Sequence, residues 1–326
     1  MKKIALLFLV HKNPEQLSRL LCRLDDERFD FYIHVDSKTN INDFLYITDS
    51  VKKSKIVWVE KRTKTFLYDF SLIKASVDTL IEAYKANQYL YYVLLTGQDY
   101  PIKSNDYVYN KLCSSYPMTF IDMYGVEEAY KNGIKWVENI GHFYFSQRIR
   151  NILLRAVGAK LYFGKYGKIV KLIPKVYDIL MTICGNVPRK EIHNTEYVYS
   201  AGSHFWMLPD IAAKHVITKY NYDNNINKIF HHVVAPEESY FQTILSTMKD
   251  LKLPEGILEQ FTTIENEMDN PALRLIKWYE NGKHTSGHPA IWDMNDLNII
   301  DNAQSLFARK FDITVDKNIF DYLDNI

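Results

Sequence analysis

The amino-acid sequence predicts an α/β fold: a Rossmann-type, mixed but mostly parallel sheet flanked by helices. Three observations lead there. Short apolar runs alternate with amphipathic stretches through the first hundred residues; polar residues cluster where those runs end; and Gly and Pro are sparse, 12 and 10 in 326 residues. Strand–helix–strand alternation at this spacing is the pattern of a parallel sheet covered on both faces.

Ile4–Val10 is the first apolar run and predicts a buried strand. Its seven residues follow Lys2-Lys3 and so imitate a secretory leader, but the run stops at His11-Lys12 with no small-residue cleavage site. Pro14–Leu24 places Leu17, Leu20, Leu21 and Leu24 on one helical face. Strands are expected at Phe31–Val35, Ile56–Val59 and Tyr91–Leu95, with a helix over Ser71–Tyr84. In such sheets ligands bind beyond the carboxyl ends of the strands. Here those ends read Val10-His11-Lys12, His34-Val35-Asp36-Ser37-Lys38 and Leu95-Thr96-Gly97-Gln98-Asp99. The polar residues therefore stand where the fold puts its ligand.

Between Asn139 and Tyr177 there is no acidic residue, yet eight basic ones occur, from Arg148 to Lys175, interleaved with apolar and aromatic side chains. This is either a solvated face on two helices or a basic amphipathic surface resting on anionic lipid. Beyond it, Tyr197-Val198-Tyr199 reads as strand-like, Pro209–Lys219 and Ser239–Met248 as helices, and Ile276–Asp312 as irregular. The chain is read as one domain over residues 1–326: a nucleotide-binding half (1–125), a basic helical insertion (126–195) and an acceptor and catalytic half (196–326).

Composition excludes several classes. Forty Lys and Arg against 39 Asp and Glu leave a net charge of +1, with no field to attract nucleic acid. There is no glycine fingerprint for dinucleotides and no phosphate-binding Walker loop. Cys22, Cys113 and Cys184 form no metal or disulfide pattern, which favours a reducing compartment. No run approaches the roughly 18 apolar residues of a membrane span. A cytoplasmic protein is expected, possible contact with the inner face of the membrane falling to the basic stretch. The surplus of aromatics, 24 Tyr and 17 Phe, suits sugar-binding surfaces or an ordinary core equally well.

Four segments form a pattern: VHKNPEQLSRLL with FYIHVDSK, YVLLTGQDYPIKS, SAGSHFWMLPD with APEESYFQTIL, and LFARKFD. In this order, across residues 8 to 312, they resemble the core-2/I-branching glycosyltransferase family, which includes branching N-acetylglucosaminyltransferases and peptide O-xylosyltransferases. The resemblance implies a GT-A-like fold and an inverting transfer from a UDP-sugar that needs no bound metal. Val10, His11 and Asp36 match positions that line the uridine pocket, although Asp36 also suits a strand-end turn. Glu238 in Pro236-Glu237-Glu238 matches the general base, with Glu237 beside it on the acceptor side; both also suit a helix start. Ser203 is expected to line the donor sugar and Trp206 the acceptor. Gly97 and Asp99 match a segment near the pyrophosphate, where Asp99 is either a sugar ligand or a turn residue. Trp278 and Tyr279 match an acceptor-side pair, or serve as core.

The chain holds no Asp-x-Asp motif, the usual manganese ligand of such folds, so no cofactor is expected. Fixed cations must then meet the diphosphate. The resemblance points to Lys310, with Arg309 beside it. Relatives often carry His-Pro-Arg where this chain has His288-Pro289-Ala290; Lys283, His284, His288 or Arg274 would have to substitute, or fewer cations suffice. The expected acceptor is a growing, lipid-linked bacterial surface glycan, and N-acetylglucosamine or xylose the favoured donor sugar. Two rival readings remain: a non-catalytic sugar-nucleotide-binding scaffold, and a metal-dependent hydrolase using His34, Asp36, His231, His232, Glu237 and Glu238.

Overall fold

The computed structural model describes residues 2–126, 146–157, 167–183, 196–255, 268–285 and 288–326. Strands β1 (Ile4–Val10) and β2 (Phe29–Val35) are buried along their whole length. With β3 (Lys55–Trp58) and β4 (Tyr91–Thr96) they form a parallel set. β1 lies between β2 and β4, so both of its edges are paired, and its two faces enter two core layers, which is why it reads as an unbroken apolar run. Its side chains still alternate. Ile4, Leu6, Phe8 and Val10 join one core layer with Leu17, Leu20 and Leu21, while Ala5, Leu7 and Leu9 join the other with Ile73, Val77 and Leu80.

The flanking helices are Pro14–Arg23 and Phe70–Ala86. Proline opens the first, its fixed φ suiting the first helical position. The second is capped by Asp69, whose side chain accepts from the Ser71 amide at 2.9 Å. Helix Asn105–Ser115 follows the short β5 (Asp99–Pro101). β6 (Phe120–Ile121) and β7 (Tyr124–Gly125) come next, then β8 (Ser200–Ala201) and β9 (Trp206–Pro209). β9 runs antiparallel between β4 and β6, completing a six-stranded sheet in the order β3-β2-β1-β4-β9-β6. The mostly parallel, helix-flanked sheet is the one expected of a GT-A-like fold.

The register fixes where a ligand can sit. Val10 is opposite Val35 and Leu9 opposite Thr96, so the carboxyl ends of β1, β2 and β4 finish level at one edge. A second sheet is set against that edge, in the order β10 (Asp269–Asn270), β11 (Arg274–Ile276), β14 (Phe307–Arg309), β5. β12 (Tyr279–Glu280) and β13 (Lys283–His284) form a separate hairpin.

Two expectations are corrected. Ile276–Asp312 is not irregular: it holds the hairpin, β14 and the helix Leu297–Asn302. Its strands are only two or three residues long, too short for a period-2 pattern to register. Tyr197–Tyr199 is not a strand; the Val198 amide donates to Ser246 Oγ, and pairing begins at Ser200.

The tyrosines also resolve. Tyr32, Tyr89, Tyr91, Tyr92 and Tyr100 are core residues, and the Tyr89 hydroxyl donates to buried Asp30 at 2.8 Å. Cys22 and Cys113 are free thiols, and Cys184 lies outside the described residues. Among the described residues no helix is long and apolar enough to cross a membrane.

Candidate active site

A cavity of about 660 Å³ opens at the level strand ends. Its floor is Val10, His11 and Lys12 after β1, His34 and Asp36 around the end of β2, and Thr96 to Gln98 after β4. One buried side chain ties the segment after β4 to the C-terminal part of the chain. The Gln16 amide donates to the Gly97 carbonyl at 2.7 Å and the Phe311 carbonyl at 3.1 Å, and its oxygen accepts from the Ile313 amide at 2.9 Å. Gly97 itself is under no strong steric demand, since an added Cβ would meet Val10 at an ordinary 3.4 Å.

Asp36 lines the cavity, but its carboxylate is largely committed. It accepts from the amides of Lys38 at 2.8 Å and Thr65 at 3.0 Å, and from the Thr65 hydroxyl. Burial would raise its pKa; these bonds hold it below the usual carboxylate value. Asp36 thus ties the wall segment Thr65–Leu72 to the end of β2. His34 Nε2 accepts from the Thr63 amide at 2.8 Å and adds a second tie. Burial lowers the His34 pKa and favours the neutral ring this bond needs.

The opposite wall is Gly202–Phe205. Gly202 is obligatory: a Cβ there would sit 1.7 Å from the Asp122 carbonyl oxygen, while its amide donates to the Glu238 carbonyl at 2.9 Å. Gly202→Ala must therefore push apart the two backbones that frame the site. Overpacking of this kind costs about 2 kcal/mol, so thermal unfolding should move to lower temperature and turnover should fall with it. Unchanged melting and turnover would contradict the close approach. The Ser203 amide donates to Asp122 at 3.1 Å, and the Ser203 hydroxyl lines the cavity with no hydrogen-bond partner among the described residues.

Glu237 and Glu238 enter from a turn, Pro236–Glu238, that follows Ala235 in the left-handed region at φ 48°. Both line the cavity. Glu237 is buried; it accepts from the Tyr68 amide at 3.3 Å, and its other oxygen has no hydrogen-bond partner among the described residues. Burial, then the charge of Glu238, pushes its pKa up to about 8. Glu238 is half-buried and is pushed up to about 7, by burial first and Asp122 second. Ionising the pair disfavours the folded state, so the empty protein should lose stability as pH rises from the ordinary glutamate range through about 8.

Across the cavity from the strand ends, β14 delivers Arg309 and Lys310. Their backbone is pinned: Trp292 Nε1 donates to the Arg309 carbonyl at 2.8 Å, and the Trp292 amide to the Lys310 carbonyl at 2.9 Å. Arg309 is 13% exposed and lies over the Phe205 ring, with a buried Nη1 that has no hydrogen-bond partner among the described residues. Burial lowers the Lys310 pKa, with Arg309 and Lys12 adding to the effect. Three cations, Lys12, Arg309 and Lys310, and four carboxyl groups, Asp36, Asp122, Glu237 and Glu238, therefore share one cavity.

The core-2/I-branching enzyme family model matches residues 4–301. The chain belongs to the core-2/I-branching enzyme family. It is a glycosyltransferase, and membership implies a sugar-nucleotide donor and a glycan acceptor. A search of curated proteins finds no match.

Against this family frame, three of the residues anticipated as ligands sit elsewhere. Trp206 is fully buried and packs on Phe241, because β9 alternates and it is Phe205 that faces the cavity. Asp99 is also fully buried. It accepts from the Thr96 amide and hydroxyl, forms a 3.2 Å ion pair with buried Arg274, and lies 3.9 Å from Arg309. It stands behind the wall, outside the cavity lining, against Arg274 and Arg309. Tyr279 stands in the hairpin outside the cavity, its ring edge-on to His284, whereas Trp278 lines the cavity and stacks on His284 at 5.9 Å. Among the proposed substitutes for the missing His-Pro-Arg cation, His284 and His288 line the cavity, and Lys283 and Arg274 do not.

Tyr68, Asp122 and Gln16, which the sequence did not single out, also shape the site, together with His204 of the Gly202–Trp206 segment. His204 lines the cavity, contacts Ser76 Oγ at 3.1 Å, and is driven down to about 3 by burial and then Arg309, so it is neutral. The rival hydrolase set is not assembled. His231 packs on Phe70, His232 is likewise outside the cavity lining, and no cluster of three or more His, Cys, Asp or Glu is found among the described residues.

Proposed function

We propose that the cavity transfers a sugar, N-acetylglucosamine or xylose, from a UDP donor to a hydroxyl of a lipid-linked bacterial surface glycan, with inversion and without a divalent metal. The observation that carries this reading is the pairing of Glu238 with Arg309 and Lys310 across one cavity at the strand ends. In a single displacement the acceptor oxygen attacks the anomeric carbon as the bond from that carbon to the diphosphate oxygen breaks. Glu238 takes the hydroxyl proton. The electron pair leaves with UDP, whose growing charge meets Arg309 and Lys310. His11, Asp36 and the ends of β1 and β2 suit the uridine, Ser203 the donor sugar, and Trp278 a stacked acceptor ring.

The test is UDP release from a panel of UDP-sugars across pH, with EDTA throughout and manganese in parallel. Release in EDTA with one preferred sugar is expected, rising as pH passes about 7 because Glu238 must be ionised. Asp122→Asn removes a neighbouring charge and should move that rise to lower pH. Release confined to manganese would overturn the metal-free reading.

A further inference from the structure

The helix Leu172–Ile183 presents an apolar face to solvent. Leu172, Ile173, Val176, Ile179 and Leu180, with Ile169 just before, are 48–72% exposed. At about 100° per residue the five on the helix fall within an arc of about 120°. Pro174 and Asp178 lie on the opposite side. Pro174 is buried, and Asp178 is pinned to the neighbouring helix Gln147–Val157 by Arg150 at 2.6 Å and to Ser146 just before it. The outward face is therefore apolar, and the acid of this helix is turned inward.

The charge beside this face has one sign. Lys168 and Lys175 are exposed, with no ion-pair partner among the described residues, and Lys171 lies between them. Asp178, the one acid of this helix, is turned inward and paired. Of the eight basic residues in this stretch, Arg150 and Arg155 are spent on internal pairs with Asp178 and Asp69. The Arg148 side chain, Lys160 and Lys165 lie outside the described residues.

We infer that the outward face of Leu172–Ile183, with the lysines beside it, docks on an anionic phospholipid bilayer. An apolar stripe edged by lysines matches both layers of such a surface: the side chains enter the acyl boundary while the ammonium groups meet the headgroups. A symmetric second copy is the poorer match, because pairing the face with itself would bring two lysine rows together. The face is also wired to the cavity. Asn151 donates to Asp69 at 3.0 Å, Arg155 pairs with Asp69 at 2.5 Å and lies 3.7 Å over the Phe66 ring, and Asp69 follows Tyr68 in the cavity wall. None of this rests on the reaction chemistry.

The test is flotation of the full chain with vesicles of phosphatidylcholine, alone or mixed with phosphatidylglycerol. Two variants are run beside it: Ile173→Gln with Leu180→Gln, and Lys168→Gln with Lys175→Gln. Partitioning about tenfold stronger on the mixed vesicles is expected, lost as salt is raised. The apolar pair should abolish binding, and the lysine pair should reduce it to the neutral-vesicle level. Vesicle-free UDP release should stay unchanged in both, which separates loss of docking from loss of the fold. Equal partitioning on the two vesicle types, or wild-type flotation of the apolar pair, would overturn the inference. So would a wild-type dimer that the apolar pair splits without changing flotation.

Discussion

Glu238→Gln should lower sugar transfer about a thousandfold while UDP still binds, the scale expected for removing a positioned general base. Gln keeps the shape and removes the charge. The backbone of residue 238 is held on both sides, its amide donating to Ala235 at 3.0 Å and its carbonyl accepting from Gly202 at 2.9 Å, so the variant should keep its place. Glu237→Gln is the informative companion. With a pKa near 8, Glu237 is mostly protonated at neutral pH, and Gln reproduces that state. Its loss should be about tenfold or less. Calorimetry with UDP and single-turnover rates would separate binding from chemistry. Near-normal turnover in Glu238→Gln, with collapse in Glu237→Gln, would exchange the two roles.

Lys310→Ala is expected to reduce kcat about 10²–10³-fold, with a smaller loss of UDP affinity. The asymmetry follows from where charge develops. The diphosphate gains negative charge as the glycosidic bond breaks, so a fixed cation contributes more in the transition state than in the bound donor. Arg309→Ala should act in the same direction, and it also removes the guanidinium lying between Phe205 and Asp99. Asp99→Asn gives a third comparison. It touches no cavity surface, yet it should lower turnover through the orientation of Arg309, and UDP affinity should follow kcat. An unaltered kcat in Lys310→Ala would mean that another group neutralises the leaving diphosphate.

The parallel sheet was legible because β1, β2 and β4 are long, apolar on both faces and end in polar residues at matching heights. That Glu238 and Lys310 line one cavity was anticipated through family resemblance, not through local chemistry: a helix-start acid and a surface basic pair look the same in a sequence. What stayed hidden depended on direction and distance. Trp206 and Phe205 are adjacent in sequence, and only the pleat of β9 decides which one meets the cavity. Gln16 looks like an ordinary polar position in an amphipathic helix; its value lies in carbonyls 81 and 295 residues away. The apolar face of Leu172–Ile183 was masked by the lysines among which it is written.

The Gln16 brace has a consequence for how the protein comes into being. During synthesis β1, β2 and β4 can pair soon after they emerge, since all lie within the first hundred residues. The Gln16 amide then waits for Phe311, and the cavity waits with it for the cations of β14. A growing chain therefore carries the floor of the cavity long before the wall that faces it. Half-made copies have no means of consuming the donor.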